Sequence, residues 1–146
     1  MQSLMFQLEV CDGWPPVAKE SIPVKEDGKN YKILVPPFFI KNLSVGDVIS
    51  VALEDQGDVV HWQHAAMSQH STIWLRTRGK NDISDSIECL KSLGCNIERL
   101  EQFCLFAIDV PEGACFDKID DCLDTIPEDA ADIVFPSFRH DNHSHT

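Results

Sequence analysis

The side chains best equipped for chemistry in this sequence are six histidines, six cysteines and a large excess of carboxylates. His61 and His64 stand three apart. On a helix they would share a face and could share a metal ion. Val59-Val60-His61-Trp62 reads instead as a strand, where residues 61 and 64 point to opposite faces, so no joint ligation is expected. His140, His143 and His145 fall in a polar terminal tract. Such a tract can catch a metal weakly, and its plainer reading is a solvated tail. Cys11, Cys89, Cys95, Cys104, Cys115 and Cys122 form no C-x-x-C pair, and none is spaced with a histidine for zinc. Cys115 begins an expected helix, where the dipole favours a thiolate, but Glu112 and Asp117 oppose it. There is no Gly-rich phosphate loop, nucleophile elbow or H-E-x-x-H. No catalytic residue, metal site or cofactor is therefore assigned, and the chain is not expected to be an enzyme.

The carboxylates are more informative. Asp117, Asp120, Asp121 and Asp124 recur three or four apart, opposite Phe116, Ile119 and Leu123. Asp82, Asp85 and Glu88 recur three apart in an earlier helical stretch, tempered by Lys91, as the later one is by Lys118. Like charges at this spacing cost a helix about 0.2–0.5 kcal/mol each. A solvated face can tolerate that cost; a docking face for a basic partner would use it. The whole chain has 24 acidic against 12 basic side chains, a net charge of −12. Such a field repels nucleic acid and anionic membrane and draws in basic proteins.

The elements that must carry these residues follow from hydrophobic period. Leu4 to Val10, Val17 to Val24, Tyr31 to Val35, Val48 to Leu53 and Val59 to Ala66 read as strands, separated by turns rich in Gly, Asp and Asn. Pro36-Pro37 ends the third, and Phe38, Phe39 and Ile40 are expected to cap a core. The rhythm then changes. Ser71 to Arg76 is a strand. A helix follows with Asn81 or Asp82 as N-cap, Ile83, Ile87 and Leu90 inward, and Gly94 as its stop. Asn96 to Leu100 and Cys104 to Val110 are strands, a second helix runs up to Pro127, and Ala131 to Phe135 is the last strand. The fold class predicted is α+β: an N-terminal antiparallel sheet or small open barrel over residues 1–69, then a ferredoxin-like β-α-β-β-α-β half over 70–139, with a flexible His-containing tail over 140–146. The N-terminus lacks a basic region with a long apolar run, so no signal peptide is read there, and no window is apolar enough to span a bilayer. The cytoplasm is the expected location, with all six cysteines reduced.

Several short pieces occur in a recognisable order: Pro37-Phe38-Phe39, Val45-Gly46-Asp47-Val48-Ile49, His70-Ser71-Thr72-Ile73, Leu93-Gly94-Cys95 and Ala107-Ile108-Asp109-Val110-Pro111. Together they resemble a bacterial family known as a domain of unknown function, DUF4265. In that family Ser-Gly usually precedes His-Ser-Thr; here the pair is Ser68-Gln69. The resemblance implies a strand-rich part joined to a ferredoxin-like part and implies no activity. It marks His70, Ser71 and Thr72 as a possible polar site, against a plainer reading in which Ser71 and Thr72 start a strand and His70 bonds locally.

The leading functional expectation is an immunity protein that neutralises a basic bacterial toxin, such as a nuclease, through its acidic surface. The alternative is a small-molecule-binding or regulatory module with its ligand between the two halves. An enzyme using His70 with an acid or Cys95 ranks third.

Overall fold

Alternation of apolar and polar side chains organises most of this molecule, a computed structural model that describes residues 2–78 and 82–140. Strand β1 (Gln2–Gln7) buries Leu4 and Phe6 between exposed neighbours. It lies antiparallel to β2 (Lys19–Asp27), with Leu4 opposite Ile22 and Phe6 opposite Glu20. β2 turns through Gly28, at φ +64°, into β3 (Asn30–Ile33). A residue with no Cβ takes that backbone conformation without strain. β3 pairs with β4 (Val48–Leu53), and β4 with β5 (Val59–Ala66) through two irregularities in register. A single parallel pairing, Phe6 with Val59, joins β5 back to β1. The predicted open sheet or open barrel is therefore a closed one. Closure leaves no edge strand to protect. Leu4, Phe6, Ile22, Val24, Ile33, Leu43, Ile49 and Val59 fill its interior.

The second sheet has the strand order β7-β8-β6-β9 and is antiparallel throughout. Its strands are β6 (Ser71–Thr77), β7 (Asn96–Leu100), β8 (Leu105–Val110) and β9 (Ala131–Ser137). Helices α1 (Ser84–Ser92) and α2 (Phe116–Asp124) cover one face, packing Ile87, Leu90, Ile119 and Leu123 on Ile73, Leu75, Ile108 and Val110. The other face carries Thr72, Trp74 and Asp109, and the barrel packs against it. There Trp74 Nε1–H donates to Pro37 O at 2.7 Å, Thr72 Oγ1 to Leu43 O at 3.2 Å, and Asn42 N–H to Pro136 O at 2.8 Å. The class is thus α+β, two largely antiparallel sheets with two helices. No helix among the described residues is long and apolar enough to cross a membrane.

Some predicted details shift. β1 ends at Gln7 rather than Val10, because Cys11 and Trp14 bridge a tight loop of their own. β8 starts at Leu105, since Cys104 sits in the left-handed region at φ 56° and closes the turn before it. The N-cap of α1 is Ile83, while the Asp82 carboxylate accepts from the Ser84 N–H at 2.9 Å. Asn81 lies outside the described residues, as do His143 and His145. The expectation of six reduced cysteines is overturned: Cys89 of α1 and Cys122 of α2 form a disulfide. Their separation of 33 residues conveys nothing until the two helices lie side by side.

Candidate functional site

Each helix divides cleanly into a buried and a charged face. α1 buries Ser86, Ile87 and Leu90; α2 buries Ile119, Cys122 and Leu123. Asp85, Glu88, Asp117, Asp120, Asp121 and Asp124 are exposed, and so is Asp82 just before α1. The helices are held together by the Cys89–Cys122 bridge and by a hydrogen bond between Ser86 Oγ and Thr125 Oγ1 at 2.9 Å. The seven carboxylates thus stand on one side of the second sheet. Bonds from the Ser84 hydroxyl and N–H hold the Asp82 carboxyl below the usual range. Lys91 reaches Glu88 at 3.6 Å between two well-exposed side chains, too weak a pair to offset the field. Beside α1 lies a cleft of about 340 Å³, lined in part by Ile83, Glu88, Lys91, Arg99, Glu101 and Phe106.

The predicted polar trio lies at the seam between barrel and sheet, with Ser71 and Thr72 inside it and His70 partly exposed at its rim. Ser71 and Thr72 are fully buried at the start of β6. Ser71 Oγ accepts from the Arg139 N–H at 2.6 Å and lies 2.6 Å from His140 Nδ1. His140 Nε2 lies 2.9 Å from Pro111 O, an acceptor only, which assigns the proton to Nε2 and makes Nδ1 the acceptor for Ser71. His140 is 2% exposed, so it belongs to this packing and not to the tail predicted from that residue on; residues 141–146 lie outside the described residues. Thr72 Oγ1 and Ser137 Oγ lie 3.2 and 2.7 Å from Ser44 Oγ, joining barrel loop, β6 and β9. His70 does not bond locally through its ring. Its Nδ1 meets Asp109 Oδ1 at 2.7 Å, and Asn96 Nδ2–H donates to the other oxygen of Asp109 at 3.1 Å.

At the centre of the seam is Asp47, which the sequence singles out only as part of the piece Val45-Gly46-Asp47-Val48-Ile49. Its carboxylate is fully buried. It takes a two-pronged contact from Arg139, N–H bonds from Ser44 at 3.0 Å and Ser68 at 2.8 Å, and lies 3.0 Å from His64 Nε2. Burial pushes its carboxyl up, but the Arg139 hydrogen bond and the Ser68 and Ser44 N–H groups outweigh it and hold it below the usual range. Gly46, at φ +87°, lets the chain turn here; a Cβ on it would meet Ser68 Cβ at 3.1 Å. Glu20 is the second missed residue. It accepts N–H bonds from Phe38 and Phe39 at 2.6 and 3.0 Å, and no ion pair to it forms among the described residues. Desolvation dominates those two bonds and pushes its carboxyl up to about 7.

Chemically, the seam is a set of satisfied bonds. Asp47 is saturated, and Ser68 Oγ donates to Val45 O at 2.6 Å. Asp109 occupies Nδ1 of His70 and so leaves Nε2 as its acceptor nitrogen. Cys95 is buried and its thiol is pushed up to about 11, first by burial and then by Asp109, which removes it as a ready nucleophile. Among the described residues no group of three His, Cys, Asp or Glu could hold a metal ion. A charged residue inside an apolar strand, as Asp109 is, was a usable signal. Arg139 gave none, being an isolated cation beyond the last strand.

An α+β protein of two packed sheets is the class these features define. The chain belongs to the family described as a domain of unknown function (DUF4265), whose model matches residues 20–132. That span contains Asp47, His70, Ser71, Thr72 and Asp109 and leaves out Arg139 and His140. It is also similar to a solved structure described as the novel crystal structure of a hypothetical protein from Neisseria gonorrhoeae, with 14% sequence identity, a TM-score of 0.76, and coverage of 95% of this chain and 97% of that one. At that identity the likeness shows the fold. No curated protein matches.

Proposed function

We propose that this protein works by binding a basic protein, and that it is an immunity protein neutralising a bacterial toxin, a nuclease being the best fit. The observation that carries this reading is the exposure of Asp85, Glu88, Asp117, Asp120, Asp121 and Asp124 from two neighbouring helices, with Asp82 exposed just before the first. Nuclease toxins need cationic surfaces to hold phosphate, and an inhibitor of opposite field finds them faster, up to about 10⁸–10⁹ M⁻¹s⁻¹. The cleft beside α1 would take an anchoring side chain of the partner, and a total interface of about 1,600 Å² would suffice. In this reading the second half is ferredoxin-like, supported by the order β7-β8-β6-β9 with both helices on one face. The protein would act in the cytoplasm, outside the membrane and without nucleic acid or cofactor, and with no reaction of its own. Recovery of one basic protein by the tagged chain, released as salt rises, tests it; carriage of the partner's gene directly beside this one would add support. A partner held equally well after Asp117, Asp121 and Asp124 are changed to Asn would rule the acidic face out.

A second reading, a regulatory module with a small ligand between its halves, is favoured by one observation: the barrel and the second sheet do not close completely on each other, and an aromatic groove runs along their junction.

A further inference from the structure

All three tryptophans of the chain line that groove. Trp74 comes from β6 on the face turned to the barrel, Trp62 from β5, and Trp14 from the loop before β2. Two adjoining hollows of about 500 and 480 Å³ share Trp14, Lys41 and Trp74. Each falls in the size range of small-molecule sites, which combine apolar rings with a few polar groups. Phe39 meets Trp14 edge-on at 5.7 Å, and the Arg76 guanidinium sits 5.3 Å over the same indole. Trp14 nonetheless stays 39% exposed. Its loop holds Asp12 and Gly13 at positive φ.

The groove is less acidic than the molecule as a whole: two cations, Lys41 and Arg76, and two carboxylates, Asp132 and Glu9, line it. With −12 overall, Lys41 and Arg76 both line the first hollow. Asp132 in the same hollow is bonded by Arg78 and stands opposite Arg76 across the β6–β9 pair, and Glu9 lines the second. Lys41 is exposed and makes no ion pair among the described residues. We propose that the groove binds a small planar aromatic anion, its ring against the indoles and its acidic group held by Lys41 and Arg76. This rests on the second reading above, a ligand between the halves. A flat π-system suits indole faces, and a fixed cation gives the contact direction. A nucleic-acid strand is disfavoured, because each added phosphate meets the field of the whole protein, whereas a single anionic group meets mainly its two cations. A nucleobase bearing a phosphate and an aromatic carboxylate share this chemistry.

Because every indole lies here, intrinsic tryptophan fluorescence reads the groove directly. The full chain would be titrated with adenosine monophosphate and with naphthoate, each beside its uncharged counterpart, adenosine and naphthalene methanol. At least one anion should give a saturable change, at least about tenfold tighter than its counterpart, and Lys41→Glu should remove that preference. Which anion binds separates the phosphate source from the carboxylate source. No saturable change by about 1 mM for either anion, equal binding of charged and uncharged probes, or an unaltered preference in Lys41→Glu would overturn the inference. A melting shift from a non-aromatic metabolite that leaves indole emission unchanged would keep a ligand between the halves and overturn this assignment of its class.

Discussion

Glu20 and Asp47 are both buried carboxylates, and their surroundings send them in opposite directions. Among the described residues Glu20 has two N–H donors and is pushed up to about 7; Asp47 has Arg139 as well and is held low. The fold therefore favours protonated Glu20. Its contribution to stability is complete below the ordinary value of 4.5 and is lost as pH rises through about 7. The full swing is about 3 kcal/mol. Unfolding midpoints should fall from about pH 5 to about pH 8 more steeply in the parent than in Glu20→Gln, and parallel profiles would show that Glu20 is not the source. Asp47 contributes above the usual aspartate range and loses its contribution as pH falls through its lowered value. Changing it to Asn leaves Arg139, whose side chain is 9% exposed, as a buried cation without a carboxylate. That should cost about 3–5 kcal/mol in urea unfolding; a loss below about 1 kcal/mol would mean that water replaces the carboxylate freely.

At the scale of elements, the two helices and the turn at Gly46 carry the sharpest expectations. The Cys89–Cys122 bridge closes a 33-residue loop across α1 and α2, so its reduction should lower stability by about 2–4 kcal/mol. Thiol titration of the unfolded, unreduced protein should find Cys11, Cys95, Cys104 and Cys115 free and no others; six reactive thiols would mean the bridge does not form. Gly46→Ala should cost about 1–2 kcal/mol from positive φ alone, before Ser68 is displaced. These elements differ in how openly the sequence announces them. Ile87 and Leu90, or Phe106, Ile108 and Val110, declare helix and strand by period, because the signal lies within one element. Closure of the barrel by Phe6 and Val59 does not, since that pairing joins two distant strands and depends on the twist of all five. The Cys89–Cys122 pair hides for the same reason. His70, Ser71 and Thr72 could be singled out, but their partners Asp109, His140 and Ser44 come from other elements, and no local pattern links them.

Over the whole molecule, charge and packing are separated in space. The barrel and the second sheet meet through Asp47, Arg139, Ser44, Thr72 and Ser137, whose bonds are used up in holding the halves together. What faces outward is the acidic side of α1 and α2 on one surface and the tryptophan groove at the junction. The surfaces left open to a partner are therefore the acidic face and the groove. The partner's association rate, followed across a salt series with the parent and with Asp117→Asn, Asp121→Asn, Asp124→Asn combined, tests this most directly. The parent's rate should fall steeply with salt, and the triple variant should associate about tenfold more slowly at low salt with a flatter dependence. Equal rates and equal salt slopes for the two proteins would contradict an acidic docking face.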